Sequence, residues 1–448
     1  MTEPSPEFSW REAVMIYTRS RVVAMAFLGF SAGLPYLLVF TTLTAWLRDE
    51  AISLSAIGFF AWVGITYSVK VLWAPVVDRT PIPLLTRVMG QRRGWILAGQ
   101  TGIAAGLLGM AITGPAELGI LAALALLVAF SSATQDIAID AWRIEAMEDE
   151  FQGAMAASYI FGYRVALLVA GAGALYLADF FSWMVAYQVM AMLMTVGMVT
   201  VLVISELDRD SAIRQVSDTE ERVLAFLLRS EHRPGAVRNL QAWFIGAVIC
   251  PFVEFFERNG KFALIMLVFI AVFRLSDIAM GIMANPFYLD MGYTKAEIAS
   301  VAKLFGFFMT IAGSAICGIL VVKWGHFRPL LVGAVAVAST NLLFAVLSLL
   351  EPELKWLAVV ISADNISGGF AATAFVAYLS SLTNRAYTAT QYALFSSLMT
   401  LPGKFISGFS GIIVEGHGYF TFFIFAAGIG LPAIFLVFVL QKVATRNS

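Results

Sequence analysis

The amino-acid sequence predicts an all-α membrane protein with about twelve transmembrane helices, arranged as two six-helix bundles. Composition is the first observation behind this prediction, because 60% of the 448 residues are apolar and 13% are charged, whereas soluble domains contain about a quarter charged residues. The second is the length of the apolar runs, which match the roughly 20 residues that a helix needs to cross a bilayer. A mean hydropathy of +0.82 agrees with both.

The apolar runs, and the charged residues between them, give the order of the elements. We predict spans near residues 21–46, 55–77, 94–113, 118–142, 152–178, 183–204, 261–289, 296–322, 329–350, 354–382, 390–414 and 419–440.

A polar stretch separates the two halves, since residues 205–239 are rich in Asp, Glu and Arg and such residues are costly in lipid. The predicted domains are a cytoplasmic amino-terminal segment (1–20), an N-terminal bundle (21–204), a cytoplasmic linker (205–260), a C-terminal bundle (261–441) and a cytoplasmic tail (442–448). Within the linker, residues 240–259 are interrupted by Pro251 and by charged residues, which favours a helix lying in the interface. A thirteenth span there is the alternative.

Lysine and arginine placement predicts the orientation. With the amino terminus inside, the outer loops contain Arg48, Lys295 and Lys355, and the other loop cations fall on the cytoplasmic side. This asymmetry is the positive-inside pattern. We therefore expect both termini in the cytoplasm, and no signal peptide at the amino end.

The two halves also resemble parallel repeats. Arg164 and Lys404 each lie about a dozen residues into the fifth helix of their half, and each precedes a glycine, Gly171 or Gly411, at the same distance. Repeats of this kind place a binding site between two bundles, near the middle of the membrane.

Several other classes of protein are disfavoured. A net charge of -1 argues against a nucleic-acid binder, which needs a concentrated basic face. Cys250 and Cys317 have no partners at metal-ligand spacing. Gly29-Phe-Ser-Ala-Gly33 matches the G-x-S-x-G pattern of hydrolases but lies inside an apolar helix, where small residues are expected to serve packing. We expect neither enzymatic activity nor a bound metal or cofactor.

Ionisable residues inside the predicted spans are the main functional signal, because each costs about 2.5 to 3.5 kcal/mol at the centre of a transmembrane helix. They are Lys70, Arg164, Arg274, Lys303 and Lys404 among the bases, and Asp136, Asp140, Asp277 and Asp364 among the acids. If the cations line one cavity, that cavity prefers an anionic ligand.

Asp136 and Asp140 are four residues apart and so share one helix face, with Gln135 beside them and Arg143 one turn further on. Paired carboxylates in a wet cavity suit proton coupling, and we assign that role to Asp136, Asp140 and Asp277. The alternatives stay open that Asp140 pairs with Arg143 only to stiffen or gate the bundle, and that Asp277 is neutralised by Arg274.

Three amides and one acid are further candidates for contact with a ligand. Asp364 and Asn365 precede Gly368-Gly369, which permit a close approach of helices or of a ligand. Gln135 and Gln391 could hydrogen-bond a sugar or an amide, although Gln391 could equally cap a helix.

The loop after the second predicted span reads Ala74-Pro-Val-Val-Asp-Arg and then Gly90-Gln-Arg-Arg-Gly-Trp. It resembles the signature at the same place in major facilitator carriers, where a carboxylate, arginines and helix dipoles hold the cytoplasmic ends of a bundle. The resemblance implies that Asp78, Arg79, Arg92 and Arg93 control an inward gate, and we include Arg143 in that group.

Longer segments resemble the AmpG-type muropeptide permeases of the bacterial inner membrane, and the resemblance covers nearly the whole chain. The similar segments are Lys70-Val-Leu-Trp-Ala-Pro-Val-Val-Asp-Arg, Ser132-Ala-Thr-Gln-Asp-Ile-Ala-Ile-Asp-Ala-Trp, Gly162-Tyr-Arg, Asn365-Ile-Ser-Gly-Gly-Phe and Thr388-Ala-Thr-Gln-Tyr-Ala-Leu.

This resemblance implies the major facilitator fold and the import of N-acetylglucosaminyl-anhydro-N-acetylmuramic acid, with or without peptide, driven by the proton gradient. It implies roles in cell-wall recycling and β-lactamase induction. Two of the segments also look like acetyl-CoA transporters, so acetyl-CoA or another organic anion is the alternative substrate.

These inferences give one mechanistic prediction, which is a monomer in the lipid bilayer that binds a muropeptide and protons and works by alternating access. Lys70, Arg164 and Arg274 are expected to hold the ligand carboxylate. The remaining residues assigned to the ligand site are Gln135, Lys303, Asp364, Asn365, Gln391 and Lys404.

Overall fold

The protein is known from a computed structural model, which describes residues 10–52, 60–205, 223, 235–294, 297–407 and 409–447. Every regular element in these residues is a helix. We call the side of the molecule at which the N-terminal half ends, near Ile204, the linker side, and the opposite side the far side.

The N-terminal half begins with a short helix and ends with a helix that is broken near its middle. Its α-helices are α1 (Trp10–Met15), α2 (Ser20–Leu38), α3 (Thr41–Asp49), α4 (Ile65–Ser68), α5 (Ala74–Arg79), α6 (Leu85–Met89), α7 (Gln91–Thr113), α8 (Leu118–Ala146), α9 (Gln152–Leu168), α10 (Ala174–Phe180), α11 (Trp183–Leu193) and α12 (Thr195–Val203).

Two helices precede the C-terminal half, which repeats the up-and-down order. The α-helices are α13 (Gly235–Phe244), α14 (Cys250–Asn259), α15 (Ala263–Phe273), α16 (Leu275–Asp290), α17 (Gly306–Trp324), α18 (Phe327–Leu347), α19 (Leu354–Leu382), α20 (Thr388–Ser407) and α21 (Ser410–Asn447). Gly418 breaks α21 into two helices, because its φ of 77° lies outside the helical region.

Nine stretches of the described residues are long and apolar enough to cross a bilayer, and one of them, Gln91–Ala146, contains both α7 and α8. Many large apolar side chains on these stretches face outward, such as Ile112, Val203 and Phe435, which are 75%, 79% and 67% exposed. A belt of this kind would aggregate in water but is stable against lipid. The prediction of a multi-pass helical protein is therefore confirmed.

The second predicted span differs from expectation. The structure has no continuous helix over residues 60–79, and instead short 3₁₀ turns at Ala61–Gly64 and Lys70–Leu72 alternate with α4 and α5. Pro75, at the start of α5, explains the last break, because proline lacks an N–H for the preceding turn and clashes with it. Lys70 therefore lies in irregular backbone. The eleventh predicted span is also absent from the nine stretches, since α20 is rich in polar residues.

Close glycine contacts join the helices within each half. A Cβ on Gly29 would lie 2.2 Å from the carbonyl oxygen of Tyr159, and one on Gly162 would lie 1.7 Å from that of Ala26. In the other half, a Cβ on Gly369 would lie 2.2 Å from the carbonyl oxygen of Thr310. The Gly29–Gly33 motif thus packs α2 against α9, as expected for small residues in a membrane helix.

The linker prediction is only partly covered, because residues 206–222 and 224–234 lie outside the described part of the chain. The described portion contains α13, a π-helical turn at Ile245–Ile249, and α14. The predicted domain boundaries, and the choice between an interfacial and a spanning helix at residues 240–259, stay predictions.

Candidate functional site

Electrostatic interactions connect the described charged residues of the predicted spans across the two halves, and we call the region that these residues surround the chamber. The Arg164 side chain on α9 has many protein atoms around it and is nevertheless exposed to solvent. It interacts electrostatically with Arg274 and Asp277 of the opposite half. An arginine that is surrounded by protein atoms yet accessible must line an internal, water-accessible space.

On the N-terminal wall of the chamber, Asp140 lies between two cations. Its carboxylate is 3.9 Å from Lys70 Nζ and 3.5 Å from Arg143 Nη2. Lys70 and Asp140 are 12% and 13% exposed, so the group is almost withdrawn from solvent. The pairing of Asp140 with Arg143 that the sequence analysis left open is therefore present, and Lys70 joins it.

Asp136 lies one turn from Asp140 on the same face of α8. It interacts electrostatically with Lys70 and Asp140, but its Oδ1 atom is buried without a hydrogen-bond partner among the described residues. A buried carboxylate oxygen without a donor is a costly feature. Such a group has the placement that reversible proton binding requires.

On the C-terminal wall, Arg274 and Asp277 form an ion pair of 2.5 Å between neighbouring turns at the junction of α15 and α16. The two side chains are 32% and 31% exposed, so the pair remains accessible from the chamber. The local neutralisation that the sequence analysis kept as an alternative is therefore present. An accessible pair can still exchange its partner for a ligand, because water screens it and weakens the contact.

Asp364 and Asn365 extend this wall along α19. Asp364 interacts electrostatically with Asp277 and with Tyr288. Asn365 accepts a hydrogen bond of 2.9 Å from Thr310 Oγ1 on α17 and donates to the Ile361 carbonyl oxygen. Asp364 is therefore part of the chamber wall, whereas Asn365 uses its amide to join two helices.

Tyrosines that the sequence analysis did not select also surround the chamber. Tyr159 and Tyr163 interact electrostatically with Asp136, and Tyr36 is 39% exposed with its ring 5.8 Å from that of Tyr67. Aromatic walls with a few polar groups are typical of ligand pockets. The available signal was the i, i+4 spacing of Tyr159 and Tyr163 next to Arg164.

A buried ionic network closes the linker side of the chamber, and we call it the latch. At its centre Arg92 Nη2 lies 2.7 Å from Asp78 Oδ1 and 2.6 Å from Glu145 Oε1. The Arg92 side chain has no exposure, and those of Asp78 and Glu145 are 2% and 6% exposed. One arginine thus bridges α5, α7 and α8.

The latch continues into the other half at the amino end of α20. Arg92 Nη2 donates to Thr388 Oγ1 at 2.8 Å, and Thr388 Oγ1 donates to Glu145. Asp78 Oδ2 accepts from the backbone N–H and the hydroxyl of Thr390, at 3.1 and 3.0 Å. The positive end of the α20 dipole adds to the stabilisation of the two carboxylates, because it lies at Thr388 and Thr390.

A second contact between the halves lies beside the latch. Arg143 Nη1 donates a hydrogen bond of 2.7 Å to Ser380 Oγ on α19, and its guanidinium lies 5.1 Å from the centre of the Tyr392 ring on α20. Tyr17 also donates to the Ala315 carbonyl oxygen on α17, at 3.1 Å. These hydrogen bonds and those of the latch join the two halves on the linker side, so the chamber is closed on that side.

Some predicted site residues lie elsewhere. Gln135 is fully buried in the N-terminal bundle and donates to the Ser31 carbonyl oxygen at 3.1 Å. Gln391 contacts Glu254 of α14 and the backbone of Pro251 and Asn384. Gln135 thus lies within the N-terminal bundle, and Gln391 joins α14 to the segment before α20. The ligand contacts predicted for both residues, and the helix cap that was the alternative for Gln391, stay predictions.

The two remaining members of the predicted gate have different roles. Arg93 donates to the carbonyl oxygens of Val201 and Leu202 at the end of α12, so it acts within the N-terminal half and not between the halves. Arg79 lies over the ring of Tyr387, at 5.4 Å, next to α20. The side chains of Lys303 and Lys404 lie outside the described residues, so their predicted roles stay predictions.

Comparisons with known proteins agree with this geometry. The profile of the Major Facilitator Superfamily matches residues 25–408. The transporter AmpG 4 of Rickettsia felis is 34% identical over 95% of this chain and 98% of its own length. The chain belongs to the major facilitator superfamily and, within it, to the AmpG family.

Further relatives support the AmpG assignment. The anhydromuropeptide permease of Escherichia coli K12 is 33% identical over 95% of this chain and 81% of its own length. Among solved structures, the proton:xylose symporter XylE superposes with a TM-score of 0.63 over 96% of each chain, at 11% identity. The XylE likeness shows the major facilitator fold and nothing of the substrate. Membership in the AmpG family confirms the prediction of a membrane transporter rather than an enzyme.

Proposed function

We propose that this protein imports muropeptides, N-acetylglucosaminyl-anhydro-N-acetylmuramyl peptides, across the bacterial inner membrane by proton-coupled alternating access. The observation that carries the proposal is the meeting of Arg164 from one half with Arg274 and Asp277 from the other half, in a chamber closed on the linker side. A site shared between two bundles can open to either side as the bundles rock.

The chemistry of the chamber supports an anionic, sugar-containing substrate. Arg164 and Arg274 offer guanidinium groups, which bind carboxylates with two parallel hydrogen bonds. The tyrosines around Asp136 offer flat faces and hydroxyl groups. Muropeptides combine carboxylates with sugar rings, and the Escherichia coli relative is named an anhydromuropeptide permease.

The charge pattern of the loops supports the proposed orientation in the membrane. The positive-inside pattern favours a cytoplasmic linker side, with both chain termini in the cytoplasm. A latch on the cytoplasmic side leaves the chamber to open toward the periplasm, where cell-wall fragments are released. This arrangement corresponds to the state that receives substrate before import.

Proton coupling is proposed to use Asp136 together with Asp277. A substrate carboxylate that binds Arg274 would displace the side chain of Asp277. The carboxylate of Asp277, without its cation, would then be ready to accept a proton. Asp136 carries an unsatisfied buried oxygen in the opposite wall. No bound cofactor is needed in this scheme, since the proton gradient supplies the energy.

Uptake into proteoliposomes tests the proposal. Vesicles that contain the purified protein should accumulate labelled anhydro-muropeptide when the outside is made acidic, and a protonophore should abolish the accumulation. An excess of unlabelled acetyl-CoA should leave uptake unchanged. Inhibition by acetyl-CoA, or accumulation of labelled acetyl-CoA in place of the muropeptide, would instead favour an organic-anion carrier of the same superfamily.

A further inference from the structure

A groove with a volume of about 800 Å³ runs along the outer flank of the N-terminal half, between α2 and α12. It is separate from the chamber and lies in the linker-side half of the bundle. Most of its wall is apolar and includes Val23, Phe27, Val196, Val199 and Val203. Its position on the lipid-facing surface means that acyl chains have direct access to it.

A tryptophan of the bundle core closes the floor of the groove. Trp142 of α8 lines the groove and is completely buried. Its indole Nε1–H has no acceptor among the described residues. That N–H group is buried with the rest of the side chain, so Trp142 closes the floor of the groove without offering it a hydrogen bond.

The linker-side mouth of the groove is polar and positively charged. Arg21 lines it together with Ser20 and Ser205, and its Nη1 donates to the Ala146 carbonyl oxygen at the end of α8. Arg93 lies nearby, since it binds the last carbonyl groups of α12. Among the described residues that line the groove, none is acidic.

We propose that this groove binds one anionic phospholipid of the linker-side leaflet. The acyl chains would lie along the valine-rich wall and over Trp142, and the phosphate would contact Arg21. Attraction between basic residues and anionic lipids of the cytoplasmic leaflet supports an anionic rather than a zwitterionic headgroup. The apolar wall favours a lipid over a soluble anion, because only a lipid can cover it.

The site has a connection to the latch through the chain itself. Trp142 precedes Arg143 in the sequence, and Glu145 lies near the end of the same helix, α8. A lipid in the groove would therefore contact the helix that carries Arg143 and Glu145. The lipid site does not depend on the identity of the transported substrate, because the residues that line the groove differ from the charged residues and tyrosines that surround the chamber.

Native mass spectrometry of the delipidated, detergent-purified protein tests the proposal. Equal amounts of dioleoyl-phosphatidylglycerol, phosphatidylethanolamine and phosphatidylcholine are added, and retained lipid is measured as collision energy rises. The unmodified protein should keep one phosphatidylglycerol in preference to the other two. Equal retention of the three lipids would overturn the proposal, whatever the variants do.

Three variants locate the site. Arg21→Gln should weaken phosphatidylglycerol retention about fivefold, as expected for one basic residue near an anionic headgroup, and leave phosphatidylcholine unchanged. Trp142→Phe keeps the floor of the groove apolar and should retain phosphatidylglycerol as the unmodified protein does. Val199→Trp fills the groove and should remove retention altogether.

Matched substitutions elsewhere serve as controls. Arg328→Gln removes an exposed arginine at the start of α18, and Val335→Trp enlarges a 43%-exposed valine that faces lipid on the same helix. Both should retain phosphatidylglycerol as the unmodified protein does. If Val199→Trp retained as much as Val335→Trp, the groove would not be the binding site.

Discussion

Glu145 Oε1 lies 2.6 Å from Arg92 Nη2, and neither side chain is more than 6% exposed. This pair joins α7 to α8, and through Thr388 it also reaches α20 in the other half. Because the contacts with α20 exist only while the linker side is closed, the free energy of the network favours the closed state over the open one.

Glu145→Gln should shift the protein toward the state that is open on the linker side. The Arg92–Glu145 pair lies within one half and is lost in both states, but the hydrogen bond from Thr388 of the other half to Glu145 exists only in the closed state. A hydrogen bond to a charged group is worth about 1.5 to 3 kcal/mol, and the amide weakens it in the closed state alone. Spin labels at Val88→Cys and Trp324→Cys, which are 77% and 42% exposed, should report a longer distance by pulsed electron paramagnetic resonance.

Glu148→Gln is the control for this experiment, since Glu148 is an exposed acid near the end of the same helix. It should leave the distance distribution as in the unmodified protein. A Glu145→Gln distribution equal to that of Glu148→Gln would show that the latch does not hold the linker side closed.

Ser380→Ala should weaken the second contact between the halves, because Arg143 then loses its acceptor on α19. A hydrogen bond to a charged group is worth about 1.5 to 3 kcal/mol, so the population should shift in the same direction as for Glu145→Gln. The same spin-label pair measures the shift. Ser381→Ala is the matched control, since Ser381 donates to Tyr378 of its own helix, and identical behaviour of the two serine variants would exclude Ser380 from gating.

The sequence predicted the helical architecture because hydropathy and charge report directly on membrane spans. It could not predict the breaks, such as the 3₁₀ turn that carries Lys70 or the π-helical turn at Val169–Gly173, because these depend on packing between helices. It could not predict Glu145 either. Glu145 lies at the end of a predicted span, where the sequence alone predicts a charge in contact with water. Its burial in the latch depends on residues that are distant in the sequence.

Arg92 and Arg93 illustrate the same limit. Successive residues of an α-helix point about 100° apart, so two adjacent arginines cannot both face one neighbour. The structure directs Arg92 into the latch and Arg93 toward the carboxyl end of α12. The sequence predicted a gating role for both arginines, because charge alone does not show which face of α7 contacts the other half.

Asp136→Asn should abolish accumulation driven by the proton gradient and leave binding of the muropeptide measurable. The amide is nearly isosteric with the acid but cannot exchange a proton, so the coupled step is lost while the shape of the chamber is retained. Gradient-driven uptake in proteoliposomes and binding by scintillation proximity separate the two effects. Asp179→Asn is the control, since Asp179 is an exposed acid near the end of α10, and this variant should transport normally. Full uptake by Asp136→Asn would remove Asp136 from the coupling role.

Arg164→Gln should weaken substrate binding by about 10- to 150-fold, which corresponds to the loss of a hydrogen bond to a charged group. Arg164 has no same-helix acid at salt-bridge spacing, and it faces Arg274 and Asp277 across the chamber, so it is available for a ligand carboxylate. The binding constant of an anhydro-muropeptide is measured for the unmodified protein and the variant, together with that of the same ligand carrying amides in place of its carboxylates.

The amidated ligand decides between a direct contact and a general loss of structure. If Arg164 binds a carboxylate, the unmodified protein should bind the amidated ligand weakly, and Arg164→Gln should bind both ligands with similar affinity. An Arg164→Gln variant that lost the same factor for both ligands would show that the arginine supports the chamber without contacting the substrate charge. Arg328→Gln, which removes an exposed arginine outside the chamber, should discriminate between the two ligands as the unmodified protein does.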